Sequence, residues 1–501
     1  MAHCFFLQTR GPKIQYQVHK RVRAESLVRL SLQLNLLDSC EARLRTAAPR
    51  ETGIELALGT EVHSGWVHRK DPPAGAVLPP LYSEYHAAEL QLPQHNWSKT
   101  QPDWEDRFFF VAGHTSGLGW GNALQEHLLN AYLAYQSGRT LVFDNYTWSD
   151  DGSLYTKYKT RWIPSQIPYT ALVRGPVVGG SFPDGEHTAP AVARQYFDSV
   201  CHHKVEEDSL KFSQGSPGEF TASTLIGSWS RSLRESAEAC IQTTKKSGPI
   251  FTHHHVFGVR NALLDAWPTL SASPIFSQFG WSPLVELAFD YNRHLFLPPF
   301  LEDGLLTGSP STSSAERYSM IPGLMVVHIR RGDYEAHCTN LAERSEDFVG
   351  VNAFPSMPDH FTVPPHHQPP GRNVKVPAET IEHYRRRCYP TVPEIVHKLR
   401  EVRQSAAGHD AWRLFIMTNG DAAFIGELKD AVWRSGMAWD AIASSRDLAL
   451  SRGQRYIAQA VDQLIAQRAQ VLVGNGFSTL TSTAVMMRLA NGFDAQTNRF
   501  W

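Results

Sequence analysis

The sequence contains no apolar run that approaches the roughly 18 residues needed to cross a bilayer, so we expect no membrane span in this chain. Its first residues hold an apolar core too short for a signal peptide, and we expect none. The formal net charge of −1 offers no basic field for nucleic acid, and we expect no nucleic-acid partner. Any phosphate-binding site must therefore be local.

Cysteine is scarce, with six residues in 501 and no CxxC spacing, which removes the usual pattern of a zinc or redox site. The even number permits disulfides, and we consider the pairs Cys201–Cys240 and Cys338–Cys388, although spacing alone leaves the connectivity open. Two sequons, at Asn96 and Asn145, are compatible with a secretory lumen but also arise by chance. These observations leave the compartment open.

The order of apolar runs and turns predicts an α/β fold. A chain of 501 residues is long enough for two or three domains. From 108 onwards, a short strand, a glycine loop, a helical stretch ending at Gly138 and a second strand form a βαβ pattern, which implies a parallel sheet. We predict a Rossmann-like domain over 107–310. It is preceded by a mixed N-terminal extension, 1–106, with an amphipathic helix around 22–46.

A second α/β pattern occupies 321–501 and again begins with an apolar strand. A small polar stretch at 307–319 suits a linker between the two patterns. An insert at 335–376, rich in Pro and His, is predicted to be an exposed loop. We therefore predict two Rossmann-like domains that face each other across a cleft, with ligands binding at the carboxyl ends of the strands.

Charged residues directly follow the apolar strand at 324–327. They are His328, Arg330, Arg331 and Asp333. Charge is costly to hold at the end of a buried strand, and this is where open α/β sheets bind ligands. Two adjacent guanidiniums suit a phosphate or pyrophosphate, because each presents a planar fork of donors that stays charged. The alternative is an Arg–Asp pair that braces the strand end.

A glycine loop, Gly117-Leu-Gly-Trp-Gly-Asn122, stands before the first predicted helix. Glycines let the backbone approach a ligand, and a helix N-terminus offers free N–H groups to an anion. The loop is not GxGxxG, because Asn122 stands where the last glycine would be, and no Lys-Ser/Thr follows to make a Walker loop. A tight turn between strand and helix is an equally good interpretation.

The third segment, 471–482, is a strand that ends in Gly-Asn-Gly and a helix that opens with Ser478 and Thr479. Its hydroxyls and N–H groups suit phosphate oxygens, and the alternative is ordinary N-capping. Asp462 lies sixteen residues before Ser478 on a helix that is otherwise apolar or amide-rich. It is either a solvated surface residue or a carboxylate that accepts two hydrogen bonds from guanine.

Taken in order, GLGWGN, VVHIRRGDY, FIMTNGD and DQLIAQRAQVLVGNGFSTLTS resemble the motifs of the GDP-fucose-dependent fucosyltransferase superfamily. They are most similar to those of the protein O-fucosyltransferase family, and the HIRRGDY wording is also similar to the α1,2- and α1,6-fucosyltransferase branches. The motifs cover 110–144 and 321–490. The resemblance implies a GT-B type glycosyltransferase that transfers fucose from GDP-fucose, with inversion, to a hydroxyl of a protein Ser/Thr or of a glycan.

The resemblance also implies roles for individual residues. Gly119, Trp120, Gly121 and Asn122 would approach the sugar and the phosphate, with Asn122 positioning the acceptor or the leaving group. The family loop usually has Gln after this Asn, where this chain has Ala123. An ER or Golgi lumen is the compartment that the resemblance implies.

The remaining roles fall on the second α/β pattern. His328 and Arg330 would contact the nucleotide, with Arg330 on the β-phosphate. Asp462 would read guanine, and Ser478 and Thr479 would bind phosphate.

One turn departs from the family. The turn that ends in Asp in the family reads Thr-Asn-Gly-Asp at 418–421, so Asn419 replaces that acid or Asp421 is displaced. These departures leave the acceptor class more open than the donor.

We expect no metal and no cofactor beyond the donor sugar nucleotide. No Asp-x-Asp follows a strand, and a pair of arginines makes a metal unnecessary for stabilising the leaving group. Neighbouring histidines on a strand point to opposite faces, so we interpret the run 253–255 as loop or surface histidines.

Three other functions stay open at this stage. One is a glycosyltransferase of the same fold that uses another nucleotide sugar, and the second is a catalytically silent relative that binds sugar or protein. The third is a nicotinamide-dependent oxidoreductase, which lacks its GxGxxG motif here and leaves the HIRRGD strand end unexplained.

Overall fold

Short apolar strands alternate with helices in the computed structural model, which describes residues 72, 76–186, 188–213, 221–252, 262–297, 313–364 and 376–501. The predicted helix around 22–46 and the histidine run at 253–255 lie outside the described residues. The described helices and strands lie in the two α/β patterns and in the segment just before them.

The strands are three to nine residues long, or two-residue bridges. In chain order they are β1 (Phe108–Phe110), β2 (Thr140–Phe143), β3 (Tyr146–Thr147), β4 (Tyr155–Tyr158), β5 (Arg161–Pro164), β6 (Gln166–Ile167), β7 (Val173–Arg174), β8 (Val192–Ala193), β9 (Val205–Glu207), β10 (Cys240–Thr243), β11 (Gly280–Trp281), β12 (Ile321–Ile329), β13 (Arg413–Thr418), β14 (Ala441–Ser444), β15 (Ala469–Gly474) and β16 (Asn498–Phe500).

The helices cover the faces of the sheets. In chain order they are α1 (Ser83–Leu90), α2 (Trp120–Ser137), α3 (Arg194–Val200), α4 (Ala222–Glu235), α5 (Trp267–Ser271), α6 (Pro274–Ser277), α7 (Pro283–Asn292), α8 (Ser314–Arg317), α9 (Tyr334–Arg344), α10 (Ala378–Cys388), α11 (Val392–Gln404), α12 (Ala422–Arg434), α13 (Ala458–Arg468) and α14 (Thr479–Ala490). Helix α2 ends as predicted, because Gly138 takes the left-handed conformation (φ 65°) that closes a helix C-terminus.

Two parallel sheets organise these elements. The first has the order β8-β2-β1-β10-β9 and the second the order β14-β13-β12-β15-β16. Neighbouring strands in both sheets run parallel, as βαβ connections require. The predicted α/β class is confirmed, and so is the expectation that 108–144 and 323–490 belong to different sheets.

Two local predictions are corrected. The insert at 335–376 is not an exposed loop at its start, because α9 occupies 334–344 and Phe348, Val351 and Phe354 are buried. Apolar side chains at 334, 338, 341 and 342 have helical spacing, and they draw this segment onto the core. The linker at 307–319 also contains helix α8, whose Arg317 is buried against Glu286. Residues 307–312 and 365–375 lie outside the described residues.

Both disulfides that we considered are present. Cys201–Cys240 joins the end of α3 to β10 with a Cα–Cα distance of 5.9 Å. Cys338–Cys388 joins α9 to α10 with a Cα–Cα distance of 6.0 Å. Both distances lie in the ordinary range for a disulfide.

One cluster of buried apolar side chains contains residues from both α/β patterns. It includes Phe109 and Leu128 from the first half and Leu464 and Met486 from the second. The described residues all belong to one compact unit, Arg69–Trp501. The division into an extension, 1–106, and two domains that face a cleft stays a prediction.

Candidate functional site

The second sheet has a topological switch point between β12 and β15. From β12 the chain continues to β13 and β14 on one side, whereas β15 is followed by β16 on the other. Connections that leave in opposite directions open a crevice at the carboxyl ends of the two strands, and open α/β sheets bind ligands there. Arg330 follows the end of β12 and Asn475 follows the end of β15.

Arg330 is a cation that this strand end presents to solvent. A quarter of its side chain (25%) is exposed, and its guanidinium lies 4.6 Å from the centre of the Tyr334 ring. Nη2 is 3.5 Å from Oδ2 of Asp333. The Nε–H is buried and has no hydrogen-bond partner among the described residues. Arg330 therefore keeps donors available for an anion with several oxygens.

Arg331 differs from its neighbour, and the prediction of two phosphate-binding guanidiniums is wrong for this residue. Its side chain is 7% exposed and donates a hydrogen bond to the carbonyl of Pro390. The guanidinium lies 4.5 Å from the ring centre of Tyr389 and 4.1 Å from that of Phe424. Successive residues leave a strand on opposite sides, so only one of the two arginines reaches the crevice.

His328 connects the end of β12 to the first turn of α14. Its ring is buried, and Nδ1 lies 2.7 Å from Oγ1 of Thr481. The Thr481 hydroxyl also accepts a hydrogen bond from the backbone N–H of Asn475 (3.2 Å). Burial, with the charge of Arg330 as a second cause, lowers the pKa of His328 to about 3. The imidazole is therefore neutral at physiological pH and acts as a hydrogen-bonding group.

The N-terminus of α14 stands beside these residues. Ser478 is its N-cap residue, yet the Ser478 side chain makes no capping hydrogen bond. The Ser478 hydroxyl is therefore not used for ordinary capping. The N–H groups in the first turn of α14 donate no hydrogen bond to it. Thr479, the first residue of α14 after Ser478, is half-buried. Free N–H groups at a helix N-terminus attract anions.

The glycine loop meets the same helix terminus. A Cβ on Gly121 would lie 2.5 Å from the backbone nitrogen of Leu480, so the glycine permits α2 to contact α14. A Cβ on Gly119 would have no atom within 4 Å. Trp120 is buried against Tyr146, with a ring-centre distance of 5.2 Å. The predicted close approach of backbone at Gly121 is thus to another helix, whereas Gly119 faces open space.

Helix contacts that the sequence motifs did not suggest hold the two halves together here. The Gln125 amide donates to the carbonyl of Thr479 (2.8 Å) and to Oγ1 of Thr483 (2.9 Å). Oγ1 of Thr483 also lies 3.2 Å from the carbonyl of Gly121. Gln125 is fully buried, and a buried amide on an apolar helix is the signal that could have revealed this contact.

Asp462 lies near the N-terminus of α13, close to the ends of β13 and β14. Both of its carboxylate oxygens accept a hydrogen bond from the Ser445 hydroxyl, at 2.9 and 2.8 Å. Ser445 Oγ in turn accepts from the backbone N–H of Thr418 (3.2 Å). Burial raises the pKa of Asp462 to about 7, although the bond from Ser445 and the charge of Arg446 oppose the rise. The solvated-surface interpretation is therefore wrong.

The turn after β13 gives its two polar residues, Asn419 and Asp421, different partners. Asn419 Oδ1 accepts from the backbone N–H of Arg331 (2.8 Å), and its amide donates to the carbonyl of the same residue (2.9 Å). Asp421 caps α12 by accepting from the N–H of Phe424 (2.9 Å). Asn419 therefore holds the position directly after the strand, and Asp421 serves the following helix.

The candidate residues lie on four segments that converge at one edge of the second sheet. His328 bonds to Thr481, the α2 N-terminus packs on the first turn of α14, and Gln463 next to Asp462 donates to the carbonyl of Leu480 (3.3 Å). These contacts bring Gly121, His328 and the helix that carries Asp462 to the first turn of α14, where Ser478 and Thr479 lie, whereas Trp120 packs against Tyr146. The roles of the predicted site residues stay predictions.

The first sheet carries a second polar cluster at its own carboxyl edge. His114 follows β1 and Asp144 follows β2, with Nε2 and Oδ2 3.6 Å apart. Arg194 donates to Asp144 (2.7 Å), and Glu126 of α2 accepts from the N–H of Thr115 (2.6 Å). These bonds fix the loop that leads into α2, and sequence reasoning did not identify them.

The described residues show no sign of a metal centre or of a membrane span. In the described ranges, no group of three or more His, Cys, Asp and Glu side chains is arranged to hold a metal ion. Within the same ranges, no helix is both long enough and apolar enough to span a membrane. The expectation that no metal takes part stays a prediction.

Comparisons with known proteins give distant structural matches. No protein-family model matches the sequence, and no curated protein matches it. Among solved structures, POFUT1 in complex with GDP-fucose is similar with a TM-score of 0.44 and 13% identity, covering 79% of this chain and 98% of that chain. POFUT1 in its apo form gives 0.40 and 14%, covering 80% and 99%.

A plant protein is also similar at this level. FUT1 of Arabidopsis thaliana, a variant in complex with GDP, gives a TM-score of 0.32 and 11% identity, covering 81% of this chain and 73% of that chain. At these scores the relation to fucosyltransferases is distant and concerns the fold. These similarities say nothing about the substrate or the reaction of this chain.

Proposed function

We propose that this protein is a glycosyltransferase that transfers fucose from GDP-fucose to a hydroxyl of a protein Ser/Thr or of a glycan, with inversion at the sugar carbon. The observation that carries the proposal is the position of Arg330. Its partly exposed guanidinium follows β12 at the switch point of the second sheet and lies over the ring of Tyr334, whose hydroxyl donates to the carbonyl of Phe477 just before α14. Arginine and a helix N-terminus together suit a diphosphate.

The reaction needs charge stabilisation at the leaving group. The bond between the sugar carbon and the β-phosphate oxygen breaks, the acceptor oxygen forms the new bond to that carbon, and the proton of the acceptor hydroxyl passes to the departing GDP or to water. Negative charge grows on GDP as the bond breaks, so a cation fixed there stabilises the transition state more than the ground state. Arg330 takes this role, and the first-turn N–H groups of α14 take a second share of the charge.

The surrounding residues orient this machinery. Neutral His328 ties β12 to Thr481 and so holds the strand end against α14. Arg331 fixes the backbone after the strand through Pro390 and its two aromatic neighbours. Arg330 is thereby presented from a rigid support, which is what a preorganised electrostatic site requires. In this proposal no metal is needed at the diphosphate.

Asp462 is proposed to read guanine. A purine with N–H and NH₂ groups side by side offers two donors to one carboxylate. Ser445 now donates to both oxygens, and the carboxylate keeps further lone pairs for such donors. Uracil lacks this paired arrangement, so a uridine nucleotide would leave the half-buried carboxylate without its partners.

The glycine loop and Asn122 are proposed to face the sugar and the acceptor. Gly119 borders open space, and the Asn122 side chain is half-buried with no hydrogen bond within the described part of the chain. An amide placed at a helix N-terminus and not engaged elsewhere suits the positioning of a hydroxyl. The two disulfides support an oxidising compartment, in line with the proposed ER or Golgi lumen.

A nucleotide panel tests the proposal. Thermal unfolding is measured with GDP, GDP-fucose, GDP-mannose, UDP and NAD, because one site at 100 Kd adds about 2.7 kcal/mol of stability. We expect stabilisation by GDP and GDP-fucose and little by UDP or NAD. Stabilisation by UDP or NAD alone would overturn the donor assignment, whereas GDP-mannose above GDP-fucose would indicate another nucleotide sugar.

A transfer assay then separates an enzyme from a silent relative. The protein is incubated with GDP-fucose and a set of Ser/Thr peptides and glycans, and mass spectrometry detects the addition of one deoxyhexose. Arg330→Ala serves as the matched inactive control. Binding of GDP-fucose without transfer to any acceptor, and without release of GDP beyond that control, would contradict the proposed activity.

A further inference from the structure

A hairpin from the first half of the chain reaches the Arg330 strand end. Strands β4 and β5 pair antiparallel, with Tyr158 opposite Arg161, so Lys159 and Thr160 form the turn. Lys159 has a φ of 56°, in the left-handed region that favours glycine or asparagine. A strained position of this kind is uncommon for lysine, and such positions concentrate at functional sites.

Lys159 lies over the turn that follows β12. Its Nζ is 3.3 Å from Oδ1 of Asp333, and a Cβ on Gly332 would lie 3.7 Å from the same nitrogen. Arg330 approaches the other oxygen of Asp333 at 3.5 Å. One carboxylate therefore stands between two cations that come from positions 171 residues apart in the sequence (330 − 159).

The two ion pairs that join these three charged groups are weak. The side chains of Lys159, Asp333 and Arg330 are 57%, 48% and 25% exposed, and both contacts are longer than 3.2 Å. Exposed ion pairs of this kind contribute little to stability, so a stronger anion displaces the carboxylate easily. The Asn419 amide lies 3.5 Å from Asp333 Oδ1 and offers the displaced carboxylate a donor.

We propose that Lys159 is a second diphosphate-binding residue and that Asp333 occupies the anion position when no nucleotide is bound. The inference rests on the proposed function and adds to it a cation from the opposite half of the chain. A nucleoside diphosphate brings more negative charge and more acceptor oxygens than one carboxylate. It therefore takes both Arg330 and Lys159, and it draws the hairpin onto the bound donor.

The affinity for GDP, measured by isothermal titration at low salt, tests the role of Lys159. Lys159→Ala is expected to raise the Kd for GDP about tenfold, near the lower end for a hydrogen bond to a charged group. Lys157→Ala is the matched control, because that ammonium lies 5.0 Å from the Trp162 ring on the same hairpin. It should leave the Kd unchanged, and Lys159→Arg should restore most of the affinity.

GMP adds a readout that a merely structural lysine would not move. Since GMP has no β-phosphate, Lys159→Ala should change its Kd much less than that of GDP. Asp333→Asn should have the opposite sign and lower the Kd for GDP severalfold, because the competing negative charge is removed while the shape is kept.

The outcomes separate the two proposals. If the unmodified protein does not bind GDP, the proposed function fails first. If it binds GDP and Lys159→Ala behaves like Lys157→Ala, Lys159 has no part in binding and this inference is wrong while the proposed function stands. Weaker GDP binding by Asp333→Asn would also overturn it, because the carboxylate would then support the site rather than compete for it.

Discussion

The neighbouring residues Arg330 and Arg331 have the same side chain in different surroundings, so the same substitution at each should have different effects. Arg330 has one exposed ion pair and one aromatic contact. An exposed ion pair contributes about 0.2–1 kcal/mol and an exposed cation–π contact about 0.5–1 kcal/mol. Arg330→Ala should therefore lower the free energy of unfolding by only about 1 kcal/mol.

The same substitution should nearly abolish transfer. Removing one preorganised donor from a site of developing charge typically lowers kcat by about 10²–10³. Arg330→Lys keeps the charge but loses the planar fork, so its kcat should also fall strongly. The stability of both variants should stay close to that of the unmodified protein.

Arg331→Ala should behave in the opposite way. It removes a hydrogen bond from the carbonyl of Pro390 and two stacked aromatic contacts. An unsatisfied buried acceptor costs about 1–3 kcal/mol and a desolvated cation–π contact about 2 kcal/mol, so the expected loss of stability is about 3 kcal/mol or more. GDP affinity should fall only in proportion to the unfolded fraction.

Urea unfolding and the rate of GDP release from GDP-fucose measure the two quantities. We expect a loss of activity for Arg330→Ala and a loss of stability for Arg331→Ala. If Arg330→Ala unfolds the protein, the arginine is structural. If Arg330→Ala folds and turns over at the normal rate, leaving-group stabilisation does not come from Arg330, and the assignment is refuted.

Four further predictions concern the site and its surroundings. Asp462→Ala should weaken the binding of GDP by about 1–3 kcal/mol and leave the binding of a uridine nucleotide unchanged. Equal small losses of affinity for both nucleotides, measured by titration, would contradict the guanine assignment. Burial raises the pKa of Asp462 from its ordinary value of 3.8 to about 7, so between these two pH values the folded protein binds more protons than the unfolded chain. The contribution of Asp462 to stability therefore falls as pH rises through that window. Asp462→Asn should raise Tm more at pH 8 than at pH 5, and an equal change at both pH values would contradict the raised pKa. Gly121→Ala should lower the free energy of unfolding by about 1–3 kcal/mol, because the added Cβ meets the backbone of α14. Gly119→Ala should leave it unchanged, because a Cβ there has no atom within 4 Å. Equal unfolding midpoints for the two variants would refute the helix contact. In a secretory eukaryotic host the exposed Asn96 should carry a glycan and the buried Asn145 should not, so Asn96→Gln alone should abolish the glycosidase-sensitive mass shift.

Local patterns in the sequence predicted much of the fold. Apolar runs such as 324–327 form buried strands because a parallel strand covered on both faces is apolar throughout. The polar residues that follow such runs fall at one edge of the sheet because all strands point the same way. Each of the disulfides Cys201–Cys240 and Cys338–Cys388 joins two cysteines that are consecutive along the chain, which made these pairs easy to propose.

Other features depend on contacts between distant segments. The direction of Arg331 is set by aromatic partners more than fifty residues away, which no local pattern encodes. Gly121 was interpreted as ligand-facing, yet its neighbour is a helix more than 350 residues later in the chain. Lys159 carries no motif at all, and only the turn after β12 reveals its place. Long-range packing of this kind is what sequence periodicity leaves undetermined.

The central claim is that the crevice between β12 and β15 binds a guanosine diphosphate through Arg330. The most direct test is isothermal titration of GDP and UDP into the unmodified protein and into Arg330→Ala. We expect one GDP site and much weaker UDP binding in the unmodified protein, and loss of most GDP affinity in an Arg330→Ala variant that remains folded. Equal binding of GDP and UDP, no GDP binding, or unchanged GDP affinity in Arg330→Ala would contradict it.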